Sequence, residues 1–310
     1  MKSVYSAIIV LLALMSTQCS NAPKDTATSG DLKVAIDESY IPLMDTQIFT
    51  FESFYQKAKV KAIYKPEAEI IKDLINDSIR MAVIGRDLTQ EEKDYFKKAT
   101  HPAYVTHIAV DAVALIVNPN NPINGLTMGQ VRALFSGSDS TWAQLDPKAK
   151  NNLVNVVFDN QGSANYRYMR DEVLGGASLS KYCYAKKSNQ EVIDYVASNP
   201  DGLGVISIAW LADKKDSLTQ TFLQKIKVLG VAEFEDPSSE SDYKKPYQAY
   251  IYEKSYPMRR DVYVVKLGTR SGIGTGFAAH LAGEKGQLII HKMGMVAAQA
   301  PVRLVEINNE

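Results

Sequence analysis

VTHIAVDAVALIVNPNNP (105–122), LTMGQVRALFSG (126–137) and NVVFDNQGSANYRYMRDEVL (155–174) are the stretches that decide how this chain folds. The first is a long apolar run, rich in β-branched residues, that stops at an Asn/Pro cluster, as a buried strand ending in a turn does. The second sets Thr127 ahead of apolar positions at helical spacing and closes on Gly137, so it carries both start and stop signals of a helix. In the third, a short β-branched run breaks at Asp159, Asn160, Gln161 and Gly162, and Ser163 is placed to cap a helix whose apolar positions begin at Tyr166 and Met169. The first turn of a helix has unpaired N–H groups and the positive end of its dipole, so Gly162, Ser163, Ala164 and Asn165 form a natural cradle for a small anion. An ordinary N-cap has the same sequence, and the residues alone leave both readings open.

Working outward, strands and helices alternate. Strands are expected over 32–36, 60–64 and 261–267, and helices over 46–55, 67–76 and 275–282. The apolar spacing of Ile70, Ile71, Leu74 and Ile75 marks a helix face lying on a sheet. Thr89, followed three residues later by Glu92, makes a capping box. The run 105–117 is long enough to pass from one lobe into another, which then holds 126–134, 154–174, 189–197, 204–210 and 226–231. The polar run 236–245 is expected as a surface loop. Alternation of this kind defines an α/β layer architecture, and 310 residues with 45% hydrophobic content suffice for two cores.

The segment from Asp111 to Pro122, the Leu126 to Gly137 helix with Trp142 after it, and the Gly162-Ser163-Ala164-Asn165 turn together resemble the PstS-like substrate-binding proteins of phosphate importers. Those proteins carry a D-G-[IV]-A strand ending in N-P-x-N-P, a helix ending in [FY]-[ST]-G, and a G-S-G-T turn. Asp37-Glu38-Ser39-Tyr40-Ile41-Pro42 is similar to their first ligand loop and Val83-Ile84-Gly85-Arg86-Asp87-Leu88 to their second. Gly286-Gln287 with Lys292-Met293-Gly294 resembles their closing helix and turn.

The resemblance implies a two-lobed, type II periplasmic-binding-protein fold with a ligand cleft and two crossover strands. Residues 31–110 would form the first lobe, 111–252 the second, and 253–310 the return to the first. It also implies a monomeric, non-enzymatic binding protein without a cofactor, which takes phosphate or a related oxyanion and delivers it to an ABC importer permease. The implied ligand residues are Ser39, Tyr40, Arg86, Asp111, Gly162, Ser163, Ala164 and Asn165. Arg86 offers a fork of donors to two oxygens of a tetrahedral anion, or else pairs with Asp87. Asp111 either accepts the proton of hydrogen phosphate, rejecting sulfate, or bonds the hinge backbone. Three departures mark this chain. Asp159, Asn160 and Gln161 stand where many relatives have an arginine, the turn ends in Ala164-Asn165, and Pro66-Glu67-Ala68-Glu69 replaces a Gly/Ser loop. They motivate a second reading, an envelope sensor or interaction protein with the same fold and an altered cleft.

The N-terminal residues read as a leader. Lys2 precedes an apolar stretch too short to span a bilayer, and Ser16-Thr17-Gln18-Cys19 resembles a lipoprotein-processing site. Residues 1–18 are expected to be a signal peptide, Cys19 to carry lipid, or a free thiol if the chain is simply secreted, and 19–30 to be a tether. That places the protein on the periplasmic side of a bacterial envelope. With Cys19 lipidated, Cys183 has no disulfide partner. Balanced charge, 35 basic against 35 acidic groups, gives no basic field for nucleic acid. The run Gly272, Gly274, Gly276 lacks the acidic residue of a dinucleotide fold and reads as a helix entry. The four histidines lack metal-ligand spacing, and Ser163 lacks the context of a hydrolase nucleophile.

Overall fold

The computed structural model describes residues 25–211 and 223–299. The expected leader, Cys19 and the first half of the tether lie outside them. Twelve strands are defined among the described residues: β1 Gly30–Asp37, β2 Ala58–Lys65, β3 Met81–Ile84, β4 Ala103–Val117, β5 Gly125–Thr127, β6 Asn155–Phe158, β7 Cys183–Ala185, β8 Gly202–Ser207, β9 Lys227–Val228, β10 Gly230–Ala232, β11 Arg259–Leu267 and β12 Val296–Ala297. The main path runs β2-β1-β3-β11-β4-β8-β6-β7, and β9 and β12 add to β4.

The fifteen residues of β4 explain the architecture. Its first part, Ala103 to Ala112, pairs antiparallel with β11, whereas Val113 to Val117 pair with β8. One extended strand therefore belongs to both halves of the sheet, and at about 3.3 Å per residue it is long enough to do so. The first half is β2-β1-β3-β11, with β1 parallel to β2 and β3 through helical crossovers, as parallel neighbours require. The second half is β8-β6-β7, again parallel. The chain returns to the first half through Met258, whose carbonyl accepts from Val113 N at 2.9 Å, while Tyr256 Oη donates to Val113 O at 2.7 Å. The two crossings are thus bonded to each other at the point where β4 changes partner.

Local signals placed the helices well. The Thr89–Glu92 capping box opens Gln90–Lys98, and Thr127 with Gln130 opens Met128–Ser136, which ends at Gly137 with φ 89°. The first helix starts earlier than its spacing suggested, at Ile41–Phe54, because Pro42 sits in its first turn with a preset φ. Gly272 is the entry to helix Ile273–Ala282, and Gly276 packs on the Ala27 backbone, where a Cβ would meet the carbonyl oxygen at 1.7 Å. The expected loop 236–245 contains only a single turn, Glu240–Asp242. Trp142 and Trp210 are both buried.

Gly204 in β8 lies under Ile116 and Val192, each of which would be 2.8 Å from an added Cβ. Gly204→Val should overpack the second lobe and lower unfolding free energy by about 1–3 kcal/mol in a denaturant titration.

Candidate functional site

Three loops at the ends of β1, β2 and β3 meet the 159–165 turn of the second lobe. Ala68 N donates to Gly162 O at 3.0 Å, and Trp210 Nε1 donates to Glu38 O at 3.3 Å. Arg167, on the short helix Ala164–Tyr168, reaches across to the Glu67 carboxylate with Nε at 2.5 Å and to Gly85 O with Nη2 at 2.9 Å. Glycine is required at 85, since a Cβ there would fall 2.8 Å from Tyr40 Oη and 3.0 Å from Ala164 Cβ. The cleft is closed around polar side chains.

At its centre lies Asp37, the last residue of β1, with no exposed surface. Its Oδ1 accepts from Ser39 N at 2.9 Å, and its Oδ2 from Glu67 N at 3.0 Å and Ala164 N at 3.1 Å. Ser163 caps its helix by accepting from Tyr166 N at 3.2 Å, and its hydroxyl donates to Asp159 Oδ1 at 2.7 Å; Asn189 Nδ2 donates to Asp159 Oδ2 at 3.0 Å. Glu67 accepts from Gly85 N at 2.7 Å. Burial, then the charges of Asp159 and Glu67, push the Asp37 carboxyl up to about 6. Burial and Asp159 push Glu38 up to about 7, and burial also raises Asp159.

The counter-charge comes from the second crossing. Arg260 of β11 lies opposite Asp111 of β4, and both are buried. Arg260 Nε donates to Asp111 Oδ2 at 2.9 Å, with Nη2 2.8 Å from the same oxygen, and Ser207 Oγ donates to Asp111 Oδ1 at 2.9 Å. The guanidinium carbon stands 5.4 Å from the Tyr40 ring centroid. Crowding both nitrogens on one carboxylate oxygen leaves Arg260 Nη1 and Nη2 without a well-directed hydrogen bond among the described residues, and Tyr40 Oη likewise has none. Burial raises the Tyr40 phenol well above its ordinary range, which keeps it a neutral donor. Beside them a cavity of about 460 Å³ is lined by four arginines, Arg86, Arg167, Arg259 and Arg260, and by three carboxylates, Asp87, Glu172 and Asp261.

The residues read from the sequence fall into two groups. Ser39, Tyr40, Gly162, Ser163, Ala164 and Asn165 lie on two loops that Asp37 ties together through Ser39 N and Ala164 N. Arg86 lies nearby with its fork engaged by both Glu92 oxygens at 2.7 Å, while Asp87 pairs with Lys93 instead. Asp111 serves as the partner of Arg260. The sequence reading missed Asp37, Glu67, Arg167 and Arg260 as functional groups. Asp37 lay within the quoted first ligand loop, but Arg260 gave no local signal beyond its position beside Arg259 at the start of a strand. Among the described residues no cluster of His, Cys, Asp and Glu could hold a metal ion, and no helix is long and apolar enough to cross a membrane. Cys183 is half-buried, its thiol pushed by burial up to about 12.

A two-lobed α/β molecule with a polar cleft between its lobes is a solute-binding-protein architecture. The chain belongs to the PBP superfamily, whose domain model matches residues 21–285. Among curated relatives, the phosphate-binding protein PstS of Borreliella burgdorferi is 25% identical over 211 residues, 66% of this chain and 72% of that one. The phosphate-binding protein PstS of Staphylococcus aureus is 22% identical over 238 residues, 76% of this chain and 68% of that one. Of solved structures, a protein from Clostridium perfringens assigned as a phosphate ABC transporter substrate-binding protein, with bound phosphate, superposes with a TM-score of 0.72 at 19% identity, covering 87% of this chain and all of that one (100%). An ABC-type phosphate transport receptor from Vibrio cholerae gives 0.64 at 18% identity, covering 86% of this chain and 100% of that one. The resemblance read from the sequence is borne out at the level of family and fold.

Two predictions follow from the buried charges. A carboxyl whose pKa is raised on folding adds stability that is complete below its unfolded pKa and is lost as pH rises through the folded value. For Asp37 that loss runs from pH 3.8 to about 6, and for Glu38 from pH 4.5 to about 7. Moving from pH 7 to pH 5 should therefore raise unfolding free energy by about 1 kcal/mol through Asp37 alone. Calorimetry of ligand-free protein should show a smaller acid gain in Asp37→Asn than in wild type. Asp111→Ala strands a buried guanidinium and should cost about 3–5 kcal/mol, measured by denaturant unfolding.

Proposed function

We propose that this protein binds phosphate, or a tetrahedral oxyanion like it, between its lobes and delivers it to the permease of an ABC importer. It acts as a solute-binding protein and not as an enzyme, working as a monomer outside the cytoplasm and held to a membrane by lipid on Cys19. The observation that carries this reading is Arg260, a buried guanidinium whose outer nitrogens have no well-directed hydrogen bond in the described residues. A desolvated guanidinium fork seeks two oxygens of an anion, and Asp111 holds it in orientation. Tyr40 Oη adds a neutral donor, and Ser39, Ser163 and Asn165 add polar groups from both lobes.

Selection in this reading comes from the carboxylates. Asp37, Glu67, Asp111 and Asp159 are all buried around the site. A ligand that keeps a proton, as hydrogen phosphate does, can donate it to a carboxylate. Sulfate has none, so its oxygens would face those carboxylates repelled and unpaired. Release would use the hinge at Val113 and Met258, where opening separates donors that only the closed state brings together. The relatives named for phosphate support the same ligand class. The envelope-sensor reading draws on Asp159, which places a carboxylate where relatives have an arginine; copurification without any permease from membranes would favour it.

Titration calorimetry of protein freed of bound ligand should show saturable phosphate heat, with sulfate at least about 100-fold weaker, the equivalent of about 3 kcal/mol. Arg260→Lys keeps the charge but loses the fork, and should weaken phosphate about 10- to 100-fold, the worth of one charged hydrogen bond. Absence of heat and of any thermal shift with phosphate would overturn the proposal.

A further inference from the structure

Main-chain amides that point into the cleft are already occupied by the protein itself. Asp37 takes the main-chain N–H groups of Ser39, Glu67 and Ala164, which come from three loops and from both lobes. A carboxylate presents two oxygens and one negative charge, much as one edge of a tetrahedral oxyanion does. Capping of the turn Glu38–Tyr40 explains the bond from Ser39, two residues away. It does not explain the other two, which span 30 and 127 residues. Nor is the position an easy one for a carboxylate, because Asp37 is fully buried with Glu67 and Asp159 as acidic neighbours. Three directed amides hold the side chain there against that crowding.

We propose that Asp37 is a tethered stand-in for the ligand: it holds the two lobes together when no anion is present, and it sets the affinity of the cleft because an incoming anion must take the amides from it. The ligand half of this inference rests on the oxyanion reading above; the latch half does not. With the latch in place the cradle is vacant only in a fraction of molecules, and the apparent affinity falls by that fraction. Of the three, Ala164 N is the bond that crosses between lobes, beside the contacts of Arg167, Ala68 and Trp210, so losing the carboxylate frees the second lobe from the first at that contact. Asp37 is thereby a residue that tunes affinity and closure together.

The test uses the full chain, wild type, Asp37→Gly and the isosteric Asp37→Asn, each stripped of bound anion, with small-angle X-ray scattering and phosphate titration read in parallel. Wild type should be compact without ligand and change little on adding phosphate. Asp37→Gly should have a larger radius of gyration without ligand, contract on adding phosphate, and bind it about 10-fold more tightly or better. Asp37→Asn retains one acceptor oxygen and should fall between the two, which keeps the test open if the glycine variant folds poorly. Variants that match wild type in both radius and affinity would overturn the latch while leaving phosphate binding intact. Expansion of Asp37→Gly with no phosphate heat in any variant would support the latch and overturn the ligand assignment.

Discussion

A guanidinium and a carboxylate buried side by side on adjacent strands, Arg260 and Asp111, constrain everything else in the cleft. Neither can be left alone in a low-dielectric interior without a cost of several kcal/mol, so the two crossings between lobes must run in fixed register. That register is the antiparallel pairing of β4 with β11, and it ends where β4 turns to β8. The point where β4 changes partner and the buried counter-charge therefore lie within the same few residues. In the proposed reading, the groups that would face a guest sit on the strands that join the lobes.

Around that pair the cleft is acidic, which is unusual for the anion site proposed and is informative for that reason. Asp159 is satisfied by Ser163 and Asn189, and Glu67 by Gly85 N and Arg167. Each carboxylate is held by donors from a different loop, so the polar network also stitches the loops together. Fully satisfied networks of this kind fix one geometry, and a partly satisfied one is costly. Among the described residues the open valences of the cleft fall on Arg260, Tyr40, Ser39 Oγ, Asn165 Oδ1 and Glu38 Oε2, and burial makes each free donor worth more than it would be in water.

Much of the fold was legible in local chemistry. Capping boxes at Thr89 and Thr127, the stop at Gly137, and the strand-turn-helix at Ser163 depend on interactions within four residues, and those survive any tertiary context. The shared strand was legible as well, since a buried run of β-branched residues that long has few other places to go. The helix Ile41–Phe54 began earlier than its apolar spacing implied because its entry is governed by Pro42 and not by periodicity. The Gly272–Gly276 run was a helix entry, as its position late in the chain suggested.

The site divides along the same line. Sequence by itself determined the family, the turn that bears Ser163 and Ala164, and the loop that bears Ser39 and Tyr40, because each is a contiguous motif with its own backbone logic. Only the tertiary structure decided which charges those motifs meet. Arg86, the obvious local candidate, closes on Glu92 six residues away, whereas Arg260 reaches the cleft through a strand pairing 149 residues from Asp111. Asp37 finds Ala164 across 127 residues. Hydrogen bonds at that separation are set by where two lobes come to rest, and no local pattern in the chain encodes them.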